Sequence, residues 1–192
     1  MNKGQTTADD IIRCARALIV KGGYNGFSYA DISDVVGIRK ASIHHHFPSK
    51  ADLVRTLVAE YRAEAAAAFA GLDRNVPDPA EQLRAYVAYW EACITDASNP
   101  FCVCALLASE MDLLPKAVAI EVRAHFRTLS GWLASVFERG GNQGRLISTG
   151  TAQEAAETFM ATVHGAMLSA RAYGDANVFR RVTQSLMQSA AA

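Results

Sequence analysis

Apolar residues recur along most of the chain at the spacing of amphipathic α-helices, and no segment shows the strict alternation of a half-buried strand. Ile11, Ala15 and Ile19 form the first such stripe, which Gly22-Gly23 ends. Similar stripes, separated by glycine, proline and polar segments, follow to the end of the chain. The pattern predicts an all-α protein of about nine helices.

Short polar signals mark the helix starts and the interruptions between helices. A hydroxyl residue three positions before a carboxylate is typical of a capped helix start. The chain has this pairing at Thr7 and Asp10, Ser28 and Asp31, Ser49 and Asp52, and Thr151 and Glu154. Glycine, proline and asparagine predict loops at Asp73–Pro79, at Asn99-Pro100 and at residues 140–144, which read GGNQG.

The composition is that of a globular protein with a hydrophobic core, since 51% of the 192 residues are hydrophobic and 20% are charged. The first ten residues, MNKGQTTADD, lack the apolar stretch of a secretory signal. The most apolar run, Ala65 to Leu72, is far shorter than the roughly 20 residues that span a bilayer. We therefore expect a cytoplasmic protein with no membrane partner, whose four cysteines are reduced thiols.

The charge balance favours a positive N-terminal part. The whole chain has a formal net charge of zero, which indicates no particular partner. Residues 1–62, however, hold nine Lys or Arg and six Asp or Glu, giving +3, together with three of the five histidines. The remaining residues hold ten basic and thirteen acidic side chains, giving −3. This mild asymmetry places any attraction for polyanions at the N-terminal end.

The stretch SYADISDVVGIRKASIHHHFPSK predicts two short helices on either side of a glycine turn, with a longer helix before them. This arrangement is typical of a helix-turn-helix, whose second helix enters the major groove of DNA. At about 100° per residue, Ile43 and Phe47 share the inner side of that helix, whereas Ala41 and His45 point away from it. The outer side is thus small or polar, which suits close approach to DNA.

The segment SYADISDVVGIRKASIHHHFPSKADL resembles the DNA-binding segment of TetR-family transcriptional regulators. The matching positions have the family's spacing, and they are Ser28, Ile32, Gly37-Ile38, Ile43, His46-Phe47, Lys50 and Leu53. The resemblance covers about residues 7–60. It implies that a set of mostly basic and polar residues faces DNA, namely Ser28, Tyr29, Arg39, Lys40, Ala41, Ser42, His44, His45, His46 and Lys50.

Three consecutive histidines end the second helix of the motif. The family usually has a tyrosine, often a phosphate contact, at the position of His44, where a histidine could still donate a hydrogen bond. Neighbouring residues on a helix diverge by about 100°, so the three side chains are poorly placed to share one metal ion. We expect the histidines to face DNA and the chain to bind no metal, with a buried structural role for His46 as the alternative.

The resemblance also implies the organisation and the role of the whole chain. It divides the chain into a helix-turn-helix DNA-binding domain at residues 1–50 and a larger helical ligand-binding and dimerisation domain at residues 51–192. The implied function is that of a transcriptional repressor with no cofactor and no enzymatic activity. As a homodimer it would bind a palindromic operator in double-stranded DNA, and a small-molecule effector would release it.

Two further sets of residues are candidates for the ligand pocket and the dimer interface that the resemblance implies. The pocket candidates are aromatic, polar or sulfur-containing: Tyr86, Tyr89, Trp90, Phe101, Cys102, Met111, His125, Phe126, Trp132 and His164. The dimer candidates are small or apolar positions of the last two helices: Ala155, Phe159, Val163, Ala166, Val178, Val182 and Leu186. Ordinary packing within one chain is the alternative for both sets.

A cysteine pair in the segment NPFCVCALLASE leaves two other functions open. Some regulators of the family resemble this chain here, and a subset of them senses electrophiles or oxidants through such a cysteine. Pro100 places Cys102 near a predicted helix start, where the pKa of a thiol falls, although buried inert thiols are the alternative. A helical enzyme using Cys102, His125 or His164 is the third interpretation, but no phosphate-binding loop, metal-ligand spacing or nucleophile motif supports it.

Overall fold

The computed structural model describes residues 7–96 and 101–191, and within these ranges the chain forms nine α-helices. They are α1 (Thr7–Gly22), α2 (Tyr29–Val36), α3 (Lys40–His46), α4 (Lys50–Asn75), α5 (Pro79–Asp96), α6 (Val103–Ala108), α7 (Lys116–Asn142), α8 (Ala152–Tyr173) and α9 (Ala176–Ala190). A 3₁₀ turn at Met111–Leu113 lies between α6 and α7. The predicted all-α architecture is confirmed. None of the described helices combines the length and the apolarity needed to cross a membrane.

The GGNQG segment departs from its prediction. Helix α7 continues through Gly140 and Gly141 to Asn142, so the prediction of a loop at these three residues was wrong. Leu146 packs closely against this part of the helix, and its side chain occupies the space that a side chain at Gly140 would need. The backbone turns only at Gly144, which has a φ of 65°. Likewise α4 runs to Asn75 and shortens the predicted loop after it, while the predicted break at Asn99-Pro100 lies outside the described residues.

The chain packs as two units whose composition is not a simple cut along the sequence. The first unit combines Met1–Ala63 with Cys102–His125, and the second combines Glu64–Phe101 with Phe126–Ala192. Helix α6 packs against α1 within the first unit, although about eighty residues separate them. This division differs from a boundary near residue 50, and the functional boundary stays a prediction.

The core of the first unit is aliphatic. Ile11 and Ile19 of α1, Ile32 of α2 and Ile43 of α3 are all fully buried. Burying one such side chain contributes about 1.5–3 kcal/mol to the free energy of unfolding. The helical spacing of these isoleucines is therefore what brings α1, α2 and α3 together and fixes the outward side of α3.

The core of the second unit is largely aromatic. The rings of Phe69 and Trp132 are stacked, with centroids 4.4 Å apart and planes 6° apart. The centroid of the Tyr86 ring lies 5.9 Å from that of Trp132 and 6.4 Å from that of Phe159. The indole Nε1–H of Trp132 donates to the Asp73 carboxylate at 3.2 Å. These contacts join α4, α5, α7 and α8 in one packed cluster.

Candidate nucleic-acid interface and ligand domain

The turn between α2 and α3 is fixed by a capped start and a glycine end of α2. The Ser28 hydroxyl accepts the Ala30 N–H at 3.2 Å, and the Ser28 N–H donates to the Asp31 carboxylate at 2.7 Å. The hydrogen bond from the Ser28 hydroxyl to Asp31 is the main reason that the pKa of this carboxyl is below its ordinary value. Gly37 ends the helix with a φ of 74°, which favours glycine.

Helix α3 has one buried side and one exposed side. Ile43 is fully buried and Phe47, directly after the helix, is 7% exposed. The remaining positions are the predicted DNA-facing ones, of which Ser42 is half-buried and the others are exposed: Arg39, Lys40, Ala41, His44, His45 and His46. The structure thus brings six of the ten predicted DNA-facing residues onto α3 and a seventh, Arg39, to its N-cap.

Two other predicted DNA-facing residues, Tyr29 and Lys50, make contacts inside the first unit. The Tyr29 hydroxyl donates to the Phe47 carbonyl at 2.9 Å, and burial raises the pKa of Tyr29 to about 12. The Lys50 ammonium donates to the Phe27 carbonyl and lies over the rings of Phe27 and Tyr24, at 4.2 and 4.9 Å from their centroids. Burial lowers the pKa of Lys50. In this structure both side chains stabilise the motif, and Ser28 serves as a helix cap.

The three histidines are all exposed, so His46 does not have the buried role that was the alternative for it. The Nδ1 atom of His44 lies 3.2 Å from the Pro48 carbonyl oxygen, and its ring meets the Tyr29 ring edge-on at 4.8 Å. The rings of His45 and His46 are 5.5 Å apart. Across residues 7–96 and 101–191, no three His, Cys, Asp or Glu side chains are grouped so as to hold a metal ion.

Two family models match the chain on either side of residue 60. Residues 11–57 match the model for bacterial regulatory proteins of the tetR family. Residues 79–186, more than half of the chain, match the tetracyclin repressor-like C-terminal domain. The chain belongs to the TetR family of transcriptional regulators.

Solved structures agree with this assignment of the TetR family. The chain is 66% identical to a TetR-family transcriptional regulator from Agrobacterium tumefaciens, with a TM-score of 0.94 over 96% of this chain and 97% of that one. A TetR transcriptional regulator from Legionella pneumophila is 28% identical, with a TM-score of 0.87 over 98% and 100% of the two chains. Escherichia coli NemR in its reduced form shares the fold at 17% identity, with a TM-score of 0.83 over 97% and 98%. No curated protein matches the chain.

Membership of the TetR family confirms the predicted helix-turn-helix and assigns the chain a DNA-binding regulatory role. In this family the N-terminal helices bind DNA, and the matching C-terminal model covers α5 and most of the residues up to α9. The exposed side of α3 is consequently the surface on which the DNA-contact residues of this TetR regulator are to be sought.

The ten predicted pocket residues of the TetR regulator are divided between the two units. Cys102, Met111 and His125 belong to the first unit, whereas the other seven belong to the second. Tyr86 and Trp132 are part of the aromatic core of the second unit, which agrees with the alternative of ordinary packing within one chain. Among the remaining five, Tyr89 is 52% exposed, so it has little contact with the interior.

Four predicted pocket residues of the second unit have smaller contacts. Trp90 is 5% exposed and meets the Tyr89 ring edge-on at 5.1 Å. His164 meets the ring of Phe126 at 5.5 Å, and the guanidinium of Arg171 lies 5.7 Å from the Phe101 ring. Within the described ranges, the Nε1 atom of Trp90 and the Nε2 atom of His164 are buried without a hydrogen-bond partner. Buried polar atoms without a hydrogen-bond partner are uncommon, because most polar atoms in protein interiors are hydrogen-bonded.

The thiols of Cys102 and Cys104 are deeply buried at the start of α6. Cys102 is 1% exposed and Cys104 is not exposed at all. Cys102 occupies the predicted helix-start position, but its side chain makes no capping hydrogen bond, and its Sγ atom accepts the Tyr61 hydroxyl at 3.5 Å. Burial raises the pKa of the Cys104 thiol well above its ordinary value. These surroundings favour inert thiols.

The three residues considered for a helical enzyme are divided between the two units. Cys102 and His125 both lie against Tyr61 in the first unit, with the Tyr61 and His125 ring centroids 5.1 Å apart. Burial raises the pKa of Tyr61 well above its ordinary value, so this hydroxyl stays neutral. His164 belongs to the second unit. The arrangement fits side-chain packing in a DNA-binding regulator.

Three of the seven predicted dimer residues are core residues of the second unit. Phe159, Val163 and Ala166 are 1%, 0% and 2% exposed within the single chain. These side chains pack mainly within their own chain, although Phe159 also contributes to the lining of a groove along α8 and α9, and their part in a dimer interface stays a prediction. The other four remain half-buried at the sides of α8 and α9, and they are Ala155, Val178, Val182 and Leu186.

Two adjoining grooves run along α8 and α9 and share Leu186 and Ser189. One has a volume of about 380 Å³ and includes Ala155, Thr158 and Ile147 in its lining, and Ile147 is 56% exposed. The other has a volume of about 420 Å³, and its lining is Thr162, Arg181, Val182, Ser185, Leu186 and Ser189. Sequence reasoning missed Ile147, which lies between α7 and α8, and the threonines, which are polar and so do not belong to the apolar stripe of α8.

Glu110 is another residue that sequence reasoning missed. Its carboxylate accepts the Tyr24 N–H at 3.0 Å and occupies the space that a side chain at Gly23 would need. It thereby connects the residues after α6 to the turn between α1 and α2. Glu110 and Tyr24 are 86 positions apart, so no local pattern could have revealed the contact.

Proposed function

We propose that this chain is a ligand-responsive repressor that binds a palindromic operator as a homodimer and is released by a small molecule. The observation that carries the proposal is the two-sided α3, in which buried Ile43 anchors an exposed side. That side presents Arg39 and Lys40, the small Ala41 and the three histidines. Basic groups supply affinity for phosphates, and small or polar groups allow close approach to base edges.

A dimer is part of this proposal because one short helix reads only one half-site. Two copies of α3 in a two-fold dimer would dock on half-sites one helical turn, about 34–36 Å, or a multiple of it apart. The grooves along α8 and α9 support a two-fold contact through this side of the second unit, since they combine exposed Ile147 with half-buried Val182 and Leu186. In such an interface the same patch pairs with itself.

The second unit is the proposed receptor for the effector. Ligand sites are mostly apolar and contain a few polar groups that orient the ligand. The buried Nε1 of Trp90 and Nε2 of His164 have bonding capacity left over, and they are the polar atoms that we assign to the effector. An effector that changes the separation of the two α3 helices by a few ångströms would prevent both from docking at once.

Selection of fragments of the source genome by the purified protein tests the DNA-binding part. We expect an enriched inverted repeat whose half-sites have the spacing given above. Lys40→Ala should weaken binding to all sequences and reduce the slope of log K against log salt by about one. Lys116→Ala, which removes an exposed lysine outside the motif, is the matched control and should bind as the wild type does. Absence of any enriched sequence, with and without reductant, would refute the proposal.

A further inference from the structure

The charge on the exposed side of α3 depends on histidines. Between Asp34 and Asp52 the chain has no acidic residue. The lysines and arginines in this interval are Arg39, Lys40 and Lys50. The Lys50 ammonium already donates to a backbone carbonyl and lies over two aromatic rings. The remaining two lie at the beginning of α3, whereas its last turn carries imidazoles alone.

The surroundings of His44 determine which of its nitrogens carries the hydrogen. Its Nδ1 atom lies 3.2 Å from the Pro48 carbonyl oxygen, which can only accept, so Nδ1 is the donor. The edge of Tyr29 packs on the ring at 4.8 Å, and the Tyr29 hydroxyl is itself anchored on the Phe47 carbonyl. A neutral His44 in this arrangement therefore has a lone pair, and no hydrogen, on its exposed Nε2 atom.

A DNA phosphate oxygen also only accepts hydrogen bonds, so it cannot bond to the Nε2 atom of neutral His44 as long as Nδ1 donates to the Pro48 carbonyl. When the ring gains a second proton, Nε2 becomes a donor, the bond from Nδ1 to Pro48 is kept, and the ring gains one positive charge. We propose that His44 binds a DNA phosphate only as the imidazolium, so that DNA binding takes up one proton per chain. This inference rests on the proposed docking of α3 on DNA.

Charged and titratable groups occur on each of the three helices α2, α3 and α4 of the motif that contains His44. These groups are Tyr29, Asp31 and Asp34 of α2, Lys40, His45 and His46 of α3, and Lys50 and Asp52 of α4. Asp31 and Asp52 are bonded to Ser28 and Ser49. Lys40 lies one helical turn before His44 on the same helix. A phosphate bound between the two would be attracted to the Lys40 ammonium and to the His44 imidazolium.

Titration of DNA affinity with pH tests the inference, using a labelled duplex of mixed sequence because phosphate contacts need no operator. At constant salt, the affinity of the wild type should fall from pH 6.5 to pH 8.5, by up to about tenfold per pH unit for each proton taken up. His44→Gln keeps a donor that does not titrate and should flatten the dependence. His45→Gln and His46→Gln are the matched controls, since these histidines lie in the same turn but lack the contact to Pro48. Both variants should keep the share of the pH dependence that comes from His44.

The salt dependence provides a second readout from the same samples. Each added charge that meets a phosphate steepens the slope of log K against log salt by about 0.9. The slope of the wild type should thus be steeper at pH 6 than at pH 8, and His44→Gln should lose this difference. A wild-type affinity independent of pH, or an unchanged pH dependence in His44→Gln, overturns the inference. A wild type that binds no DNA at any pH contradicts the proposed docking of α3 instead.

Discussion

At the scale of single residues, the Glu110 carboxylate shows how parts distant in sequence are joined in the first unit. One of its oxygens accepts the Tyr24 N–H, and the other lies where a side chain at Gly23 would have to be. Gly23 also has a φ of 74°, which side chains other than glycine rarely adopt. The glycine is therefore required by the backbone conformation and by the neighbouring carboxylate.

Gly23→Ala is expected to destabilise the chain more than Gly37→Ala does. Both glycines have a φ of 74°, so an alanine costs roughly 1–2 kcal/mol at either position. Only at Gly23 does the new methyl group also displace Glu110 from Tyr24, which adds about 1 kcal/mol for the lost hydrogen bond. Urea unfolding measures both losses. In a Glu110→Ala background the additional loss should vanish, and equal losses for the two variants in the native background would contradict the account.

The burial of the thiols predicts their reactivity. Native protein treated with iodoacetamide should be labelled at Cys93, which is half-buried, well before Cys102 or Cys104. Because its pKa is raised, Cys104 remains a protonated thiol at neutral pH and does not form the reactive thiolate. Peptide mass spectrometry after brief labelling gives the order, and labelling in urea is the control. Rapid native labelling of Cys102, followed by loss of DNA binding, would favour the redox-sensing alternative over a pocket for an effector.

At the scale of the elements, three helices begin with carboxylates that cap them. Hydrogen bonds to Asp31, Glu154 and Asp175 hold the pKa of each carboxyl below its ordinary value. The donors are chiefly the Ser28 hydroxyl, the Thr151 backbone N–H and the Asn177 backbone N–H, respectively. Because the pKa values are lowered, these bonds stabilise the folded chain fully above the ordinary carboxyl pKa. The stabilisation is lost as the pH falls through the lowered values.

Acidification is therefore expected to lower the melting temperature below about pH 4. Glu154→Gln should weaken this dependence, because the amide has no charge to lose, and should lower the melting temperature slightly at pH 7. Glu138→Gln, which changes an exposed carboxylate within α7, is the control and should leave the dependence as it is. Thermal unfolding followed by circular dichroism from pH 7 to pH 3 supplies the comparison. Identical acid profiles for Glu154→Gln and the wild type would show that the cap contributes nothing.

The helices themselves could be predicted well from the sequence, since local signals mark them. The capping pairs at Ser28 and at Thr151 are both present as hydrogen bonds, and Gly37 ends α2 as expected. The end of α7 could not be predicted, because the packing of Leu146 against Gly140 is a contact of the folded chain. A glycine pair often ends a helix. The sequence does not show whether a side chain distant along the chain packs against the pair in the folded protein.

Some features of the functional side chains could likewise be predicted from the sequence, whereas others depend on contacts of the folded chain. The exposed side of α3 follows from helical periodicity, because one turn of helix relates Ile43 to Phe47 and leaves the other positions outside. The burial of Phe159 and Val163 within the single chain could not be predicted, because an apolar stripe has the same pattern whether it packs on its own chain or on a second copy. The contacts of Lys50 with aromatic rings were likewise invisible, since they depend on the folded turn around Phe27.

At the scale of the whole molecule, the outer side of α8 and α9 is the proposed dimer contact. Val182→Asp places a charge in this surface, where Val182 is half-buried in the single chain, and is expected to shift the protein to a monomer with lower operator affinity. Ile120→Asp is the control, because Ile120 is 48% exposed and lies outside these grooves. Sedimentation velocity, with circular dichroism as a check on folding, compares them. A dimer that survives Val182→Asp and dissociates on Ile120→Asp would move the interface elsewhere.

The central claim is that the exposed side of α3 reads DNA, and a competition between two duplexes tests it most directly. The selected operator and a shuffled duplex of equal length would be offered to the wild type and to Ala41→Glu. Ala41 is exposed, so the variant should fold as the wild type does while placing bulk and negative charge against the groove. The account predicts a preference of at least about 10³ for the operator in the wild type, lost in Ala41→Glu. Equal affinity of the wild type for both duplexes, or an undiminished preference in the variant, would contradict it.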